Sequence, residues 1–94
     1  EREIKATVKN NTFPKEIRVK AGERVVFVVT NEERLEKHSF EFPDLDVFRD
    51  VGPLETVRIE WLVPDKKGRW DMGCFLTEPV FEIHERMEGV LIIE

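Results

Sequence analysis

Cysteine is scarce in this chain: a single one occurs among 94 residues. Because a disulfide needs two cysteines, a small fold held together by internal disulfides is excluded. Long apolar runs are also missing. Since a transmembrane helix needs about 20 such residues, no membrane span is expected. A signal-peptide pattern is absent at the start of the given chain, which decides nothing about compartment. The lone cysteine is therefore a core residue, a reactive thiol or a metal ligand.

Basic residues are outnumbered by acidic ones, at 15 against 20, and the formal net charge is −5. Nucleic-acid binding normally rests on a basic patch, so no nucleic-acid partner is expected. The negative charge is compatible with a basic protein partner. No substrate pocket or general-base pair is visible in the sequence. The chain is therefore not expected to be an enzyme by itself.

Apolar residues alternate with polar ones along most of the chain, which is typical of β-strands. Hydrophobic residues make up 40% of the sequence and include seven Phe and two Trp, enough for the core of one domain spanning 1–94. Residues 45–53 show no alternation and are predicted to be an irregular crossover or a short turn of helix. Seven or eight short strands separated by turns favour an all-β, antiparallel sandwich. The predicted strands lie near residues 4–8, 17–19, 24–30, 38–42, 57–61, 70–74 and 90–93.

One segment, residues 77–87, departs from the β pattern. Thr77 can cap a helix, and Glu78 and Pro79 are typical of a first helical turn. A single turn here would place His84 and Met87, three residues apart, on one face. We therefore expect one short helical turn before the last strand.

Four residues in the order His38, Cys74, His84 and Met87 include both histidines, the only cysteine and one of the two methionines. Two imidazoles, a thiolate and a weak thioether suit copper, which cycles between two oxidation states, or zinc. Zinc gains little from a thioether, and Met87 therefore favours copper. The alternative interpretation is that no metal is bound, that Cys74 is a small core residue and that Met87 fills space in the core. That alternative requires both histidines and the only cysteine to be placed by chance around one end of the sandwich.

Five segments of the sequence resemble motifs of the cupredoxin family, in the order in which that family has them. Residues 13–23 resemble its opening strands, where an F-P element precedes I-x-V-x-A-G, and residues 25–31 resemble its V-x-F-x-x-x-N strand. The first histidine ligand of the family matches His38 in residues 38–40. Residues 68–74 resemble the G-x-[Y/W]-x-x-x-C strand, and residues 84–91 the closing H-x-x-M-x-G-x-L.

The resemblance implies a cupredoxin-like Greek-key β-sandwich with one copper ion at one pole. By resemblance, His38, Cys74 and His84 are the equatorial ligands and Met87 is the long axial ligand. The backbone N–H of Ser39 takes the place of the donor that commonly bonds the thiolate sulfur in this family. Such a bond tunes the potential and holds the ligand loops together.

The sequence departs from the family in the loop between its second and third ligands. Nine residues separate Cys74 from His84, more than in plastocyanins or azurins. The longer loop would shift the geometry away from a blue site or bring Glu78, Glu82 or Glu85 close to the metal.

The H-x-x-M spacing is also similar to that of the binuclear copper domain of cytochrome oxidase. That site needs a second cysteine, and the nearest positions here hold Leu76 and Val80. A thiolate-bridged binuclear site is therefore excluded.

One-electron transfer is the leading functional hypothesis, because this ligand set lies between the preferences of both copper oxidation states. His84 would be the electron exit, and residues 79–81 would form an apolar docking patch. A second hypothesis is copper binding for delivery, sensing or transport, and a third is a metal-free interaction module. The expected partner is a redox or metal-transport protein, and the net negative charge is compatible with a basic one. The resemblance implies a periplasmic or other extracytoplasmic location.

Overall fold

The computed structural model describes residues 2–9, 13–74 and 87–94, together with all their side chains except that of Met87. These residues form eight β-strands and one 3₁₀ turn, which confirms the prediction of an all-β sandwich. In the described ranges, no helix has the length and apolar character needed to cross a bilayer. The strands are β1 (Arg2–Val8), β2 (Glu16–Val19), β3 (Arg24–Asn31), β4 (His38–Phe42), β5 (Val47–Val51), β6 (Thr56–Leu62), β7 (Gly68–Cys74) and β8 (Met87–Ile93). The predicted helical turn lies outside the described residues, except that Met87 belongs to β8.

The strands form two sheets, one of three strands in the order β1-β3-β6 and one of five in the order β2-β8-β7-β4-β5. Strand β3 is central in the first sheet because its β-branched and aromatic residues suit a strand with neighbours on both sides. The expectation of a purely antiparallel sandwich is wrong in two places: β1 pairs with β3, and β2 with β8, in parallel. Parallel neighbours are distant in sequence, and alternation within a strand carries no information about its partner's direction.

The prediction of an irregular segment at residues 45–53 is also wrong. A 3₁₀ turn at Pro43–Leu45 leads into β5, which pairs antiparallel with β4 from Phe42 opposite Val47 to His38 opposite Val51. Strand β5 lies at the edge of the five-stranded sheet, and only Val51 in it is buried. Because backbone pairing to β4 holds this strand in place, its side chains carry no alternation from which it could be predicted.

An aromatic cluster fills the core between the sheets. The ring of Phe27 on β3 lies 5.3 Å from Phe40 and 5.5 Å from Phe42, both on β4. The Phe42 ring lies 5.1 Å from Trp61 on β6. Phe27, Phe40 and Phe42 are fully buried, and ring pairs at these distances add to the stabilisation from burial. The cluster therefore fixes β4, and with it the position of His38 at the start of that strand.

Candidate metal centre

Two of the four predicted ligands meet at one end of the five-stranded sheet. His38 is the first residue of β4 and Cys74 is the last residue of β7. These strands are antiparallel neighbours, with Glu41 opposite Gly73, so the start of β4 lies beside the end of β7. His38 is fully buried and Cys74 is partly buried.

The distance between the His38 and Cys74 donor atoms suits a shared metal ion. Nδ1 of His38 lies 3.8 Å from Sγ of Cys74. Metal bonds of about 2.0–2.1 Å to nitrogen and about 2.3 Å to sulfur, meeting at roughly 110–120°, put the two donors about 3.6–3.8 Å apart. An imidazole nitrogen and a thiolate are a donor pair that copper and zinc both accept. The two residues therefore fit a metal ion in type and in spacing.

The backbone of Ser39 contributes to the surroundings of the sulfur. Its N–H donates a hydrogen bond to Sγ of Cys74, with 3.2 Å between nitrogen and sulfur. This bond confirms the one predicted for Ser39. An N–H donor aimed at sulfur suits a metal-bound thiolate, whose remaining charge it partly compensates. It also ties β4 to β7.

The structure does not describe the side chains of the other two predicted ligands, His84 and Met87. His84 lies outside the described residues, as do Glu78, Glu82 and Glu85, the three acids considered for the same site. The backbone of Met87 begins β8 and pairs with Cys74, which places residue 87 at the same end of the sheet. Among residues 2–9, 13–74 and 87–94, no group of three or more His, Cys, Asp and Glu side chains is arranged to hold a metal ion.

Asn31 holds the loop that precedes His38. Its fully buried side chain donates from Nδ2 to the carbonyl oxygens of Glu36, at 2.8 Å, and of Val51, at 3.0 Å. Its Oδ1 accepts a hydrogen bond of 2.8 Å from the backbone N–H of Glu33. Since Val51 is the register partner of His38, these bonds join the loop to the strand beside His38. Asn31 thereby fixes the approach of the chain to His38.

Gly89 lets β8 pass close to Pro14 and Lys15, the two residues that precede β2. A Cβ atom at this position would lie 2.0 Å from the carbonyl oxygen of Pro14 and 2.7 Å from Cε of Met72. The neighbouring Val90 N–H donates to the carbonyl of Lys15 at 2.9 Å, which holds the two segments together. Glycine is therefore required for close approach two residues after Met87.

Sequence reasoning missed the roles of Asn31 and Gly89, although both stand in motifs that resemble the family. A polar residue at the end of an otherwise apolar strand was the available signal for Asn31. A glycine inside the last strand was the signal for Gly89, since such a glycine often marks a close backbone approach. Neither signal indicates which groups lie opposite.

Comparison with known proteins agrees with the fold. The family model described as a cupredoxin-like domain matches residues 1–93. A nitrous-oxide reductase from Ralstonia nicotianae is 29% identical over 82 residues, which are 85% of this chain and 12% of the relative. The chain thus spans only about an eighth of the length of that curated relative.

Solved structures with similar folds include those of three different kinds of protein. Auracyanin A, a blue copper protein of the bacterium Chloroflexus aurantiacus, has a TM-score of 0.75 at 16% identity, covering 98% of both chains. The metal-binding domain of a Cu(I)-exporting P-type ATPase from Streptococcus pneumoniae has a TM-score of 0.74 at 14% identity, covering 98% of this chain and 84% of that one. The periplasmic domain of cytochrome oxidase subunit II from Bradyrhizobium japonicum has 0.72 at 18%, covering 98% and 83%. At these identities the likeness shows the fold.

Proposed function

The chain belongs to the cupredoxin-like domain family, and we propose that it binds one copper ion and transfers single electrons. The observation that carries this proposal is the 3.8 Å approach of His38 Nδ1 to Cys74 Sγ, with the Ser39 N–H aimed at the sulfur. We assign His84 and Met87 as the remaining ligands on sequence grounds. Copper would supply a centre that gains and loses one electron.

Electron transfer is supported by how firmly the described donors are held. The side chain of His38 is fully buried at the start of the strand that carries Phe40 and Phe42, and Cys74 receives the Ser39 hydrogen bond. A site whose ligands are held by the fold changes little when the metal changes charge, and small rearrangement favours fast electron exchange. In this role the domain carries electrons between partner proteins and converts no substrate of its own, so we propose that it is not an enzyme.

Titration with Cu(II) tests the proposal directly. One equivalent should produce intense visible absorption from thiolate-to-copper charge transfer, and voltammetry should show a reversible one-electron couple. Fast self-exchange, measured by NMR line broadening in mixtures of oxidised and reduced protein, should accompany it. A colourless one-to-one complex would refute the thiolate ligand, and failure to bind one equivalent would favour a metal-free module.

Copper delivery is the second candidate, favoured by the structural likeness to a metal-binding domain of a Cu(I)-exporting ATPase. The same ligands would serve this role. A delivery protein should pass Cu(I) to a chelating acceptor within minutes and show slow self-exchange. An electron carrier should retain its copper and exchange electrons quickly, so the two measurements separate these functions.

Replacing Met87 with leucine should keep copper bound and raise the reduction potential. A weak axial thioether stabilises Cu(II) more than an apolar side chain does, and its loss therefore favours Cu(I). Voltammetry of the two proteins measures the shift. Met72→Leu is the matched control, because Met72 is a fully buried core residue and is not one of the proposed ligands. An unchanged spectrum and potential in Met87→Leu would show that the axial position is not filled by Met87.

We further propose that the partner docks at the end of the molecule where the site lies, outside the cytoplasm. The loop between β3 and β4 carries Leu35, which is 92% exposed, and the loop between β5 and β6 carries Leu54, which is 64% exposed. The loops are joined by a hydrogen bond of 3.0 Å from the Leu54 N–H to the Glu33 carbonyl. Four acidic residues and two basic ones lie in these loops: Glu32, Glu33, Glu36 and Glu55 against Arg34 and Lys37. A surface with two exposed leucines surrounded by acidic residues suits the docking of a basic redox protein. The apolar patch predicted at residues 79–81 lies outside the described residues.

Replacing both Leu35 and Leu54 with alanine should slow electron transfer to a basic cytochrome by roughly thirtyfold, since apolar contacts at a docking face contribute about 1 kcal/mol each. Stopped-flow measurement of the second-order rate tests this. Leu62→Ala is the matched control, because Leu62 is 57% exposed and ends β6 at the opposite end of the sandwich. An equal loss in the control would remove the docking assignment.

A further inference from the structure

The hydroxyl group of Ser39 lies between two acceptors. Its oxygen is hydrogen-bonded to Oε2 of Glu41 and lies 3.5 Å from Sγ of Cys74. A serine hydroxyl has one hydrogen to donate, so it cannot serve both acceptors at once. A carboxylate oxygen is a stronger hydrogen-bond acceptor than sulfur, and here it lies closer to the hydroxyl than the sulfur does. The hydrogen is therefore directed at Glu41.

Strand geometry places the Glu41 carboxylate where it can accept the hydrogen bond of the Ser39 hydroxyl. Ser39 and Glu41 are two residues apart on β4, so their side chains emerge from the same face of the sheet. The residue opposite Glu41 on β7 is Gly73, which has no side chain to occupy the space beside the carboxylate. Ser39 is fully buried, so water does not compete for its hydroxyl.

We propose that Glu41 is a positioning residue that keeps the Ser39 hydroxyl from donating to the Cys74 sulfur and thereby lowers the reduction potential of the bound copper. The inference rests on the proposed copper site. With Glu41 present, the sulfur receives the backbone N–H of Ser39 and no hydroxyl hydrogen. Without Glu41, rotation about the Cβ–Oγ bond turns the hydroxyl hydrogen toward the sulfur, 3.5 Å away.

The direction of the effect follows from the charge on the sulfur. Each hydrogen bond donated to a thiolate withdraws electron density that the thiolate otherwise gives to the metal. Cu(II) depends on that density more than Cu(I) does, so a second donor favours the reduced state. Removing Glu41 also removes a negative charge, which favours Cu(I) by simple electrostatics. A useful experiment has to separate these two contributions.

A double-mutant cycle on the copper-loaded protein separates them. The four proteins are wild type, Glu41→Leu, Ser39→Ala and the double variant, each measured by voltammetry and visible spectroscopy. The electrostatic contribution is the same with or without the hydroxyl, whereas the hydrogen-bond contribution exists only when the hydroxyl is present. Glu41→Leu should therefore raise the potential more in wild type than in Ser39→Ala. We expect an excess of about three- to tenfold in the Cu(II)/Cu(I) equilibrium, or roughly 30–60 mV for a one-electron couple.

Asp71→Leu provides the matched control. Asp71 is an exposed acid on β7, on the same face as Gly73 and Glu41, so its removal changes the charge near the site without touching the Ser39 hydroxyl. Its shift should be equal with and without Ser39→Ala. The charge-transfer band should also move to higher energy in Glu41→Leu and stay in place in Asp71→Leu, because the hydrogen bond lowers the energy of the sulfur donor orbital.

The possible outcomes distinguish this inference from the copper proposal. Absence of a charge-transfer band in wild type would overturn the copper site. A normal band with strictly additive potentials would overturn the role of Glu41 and leave the copper site standing. Urea unfolding of the four metal-free proteins supplies a readout without copper: a non-additive midpoint is expected from the Ser39–Glu41 hydrogen bond, and additive midpoints would contradict it.

Discussion

Replacing Cys74 with serine is expected to abolish the visible charge-transfer absorption of the copper-loaded protein. The absorption requires a thiolate bound to Cu(II), and a serine hydroxyl is neither deprotonated nor soft enough to replace it. The substitution exchanges sulfur for oxygen at a partly buried position, so the metal-free fold should survive. Titration with Cu(II) followed by visible spectroscopy measures the loss. Colour that persists in Cys74→Ser would show that the metal binds elsewhere.

The same variant should lose most of the stabilisation that copper gives. A ligand that binds only the folded state adds about 4 kcal/mol at a thousandfold excess over Kd. For a domain of about 100 residues, each ~1 kcal/mol moves Tm by roughly 4–8 °C. Wild-type protein should therefore melt well above its metal-free form when loaded, and Cys74→Ser should show little difference.

The metal-free proteins are the control for this experiment. Their melting temperatures should be close, since His38 Nδ1 and Cys74 Sγ are 3.8 Å apart and contribute at most a weak S–H···N hydrogen bond without metal. A metal-free wild type with no cooperative melting would contradict a fold that is stable by itself. An equal copper response in both proteins would contradict the assigned site.

Replacing Gly89 with alanine should destabilise the fold by at least ~2 kcal/mol, which lowers Tm by roughly 10 °C or more. The added Cβ would lie 2.0 Å from the carbonyl oxygen of Pro14, a backbone atom that a rotamer change cannot move away. Strand β8 would have to separate from residues 13–15 and break the Val90–Lys15 hydrogen bond. Thermal and urea unfolding of the metal-free protein measure the effect.

Gly52→Ala is the matched control for Gly89→Ala. A Cβ at Gly52 meets only a flexible carboxylate oxygen of Glu55, at 3.4 Å, so little change in stability is expected. Because Gly89 lies two residues after Met87, its substitution should also weaken copper binding, whereas Gly52→Ala should not. Equal stability of the two variants would show that β8 does not approach residues 13–15 as closely as the structure has it.

Much of the fold was predictable from local pattern alone. Alternation in β1, β4, β6 and β7 follows from one face packing on the core, and the continuous apolar run of β3 marks a strand that is covered on both faces. The edge strand β5 was missed because its place depends on backbone pairing with β4, and backbone groups are the same for every residue. For the same reason the parallel pairing of β1 with β3 was not foreseen.

For the candidate site, the sequence by itself determined which donor types are available and in what order they occur along the chain. The tertiary structure decided that His38 and Cys74 lie 3.8 Å apart, because that distance depends on β4 and β7 being neighbours. It also decided that the Ser39 hydroxyl is directed at Glu41. Ligand identity is a property of single residues, whereas donor distance and hydrogen-bond direction are properties of pairs that only folding brings together.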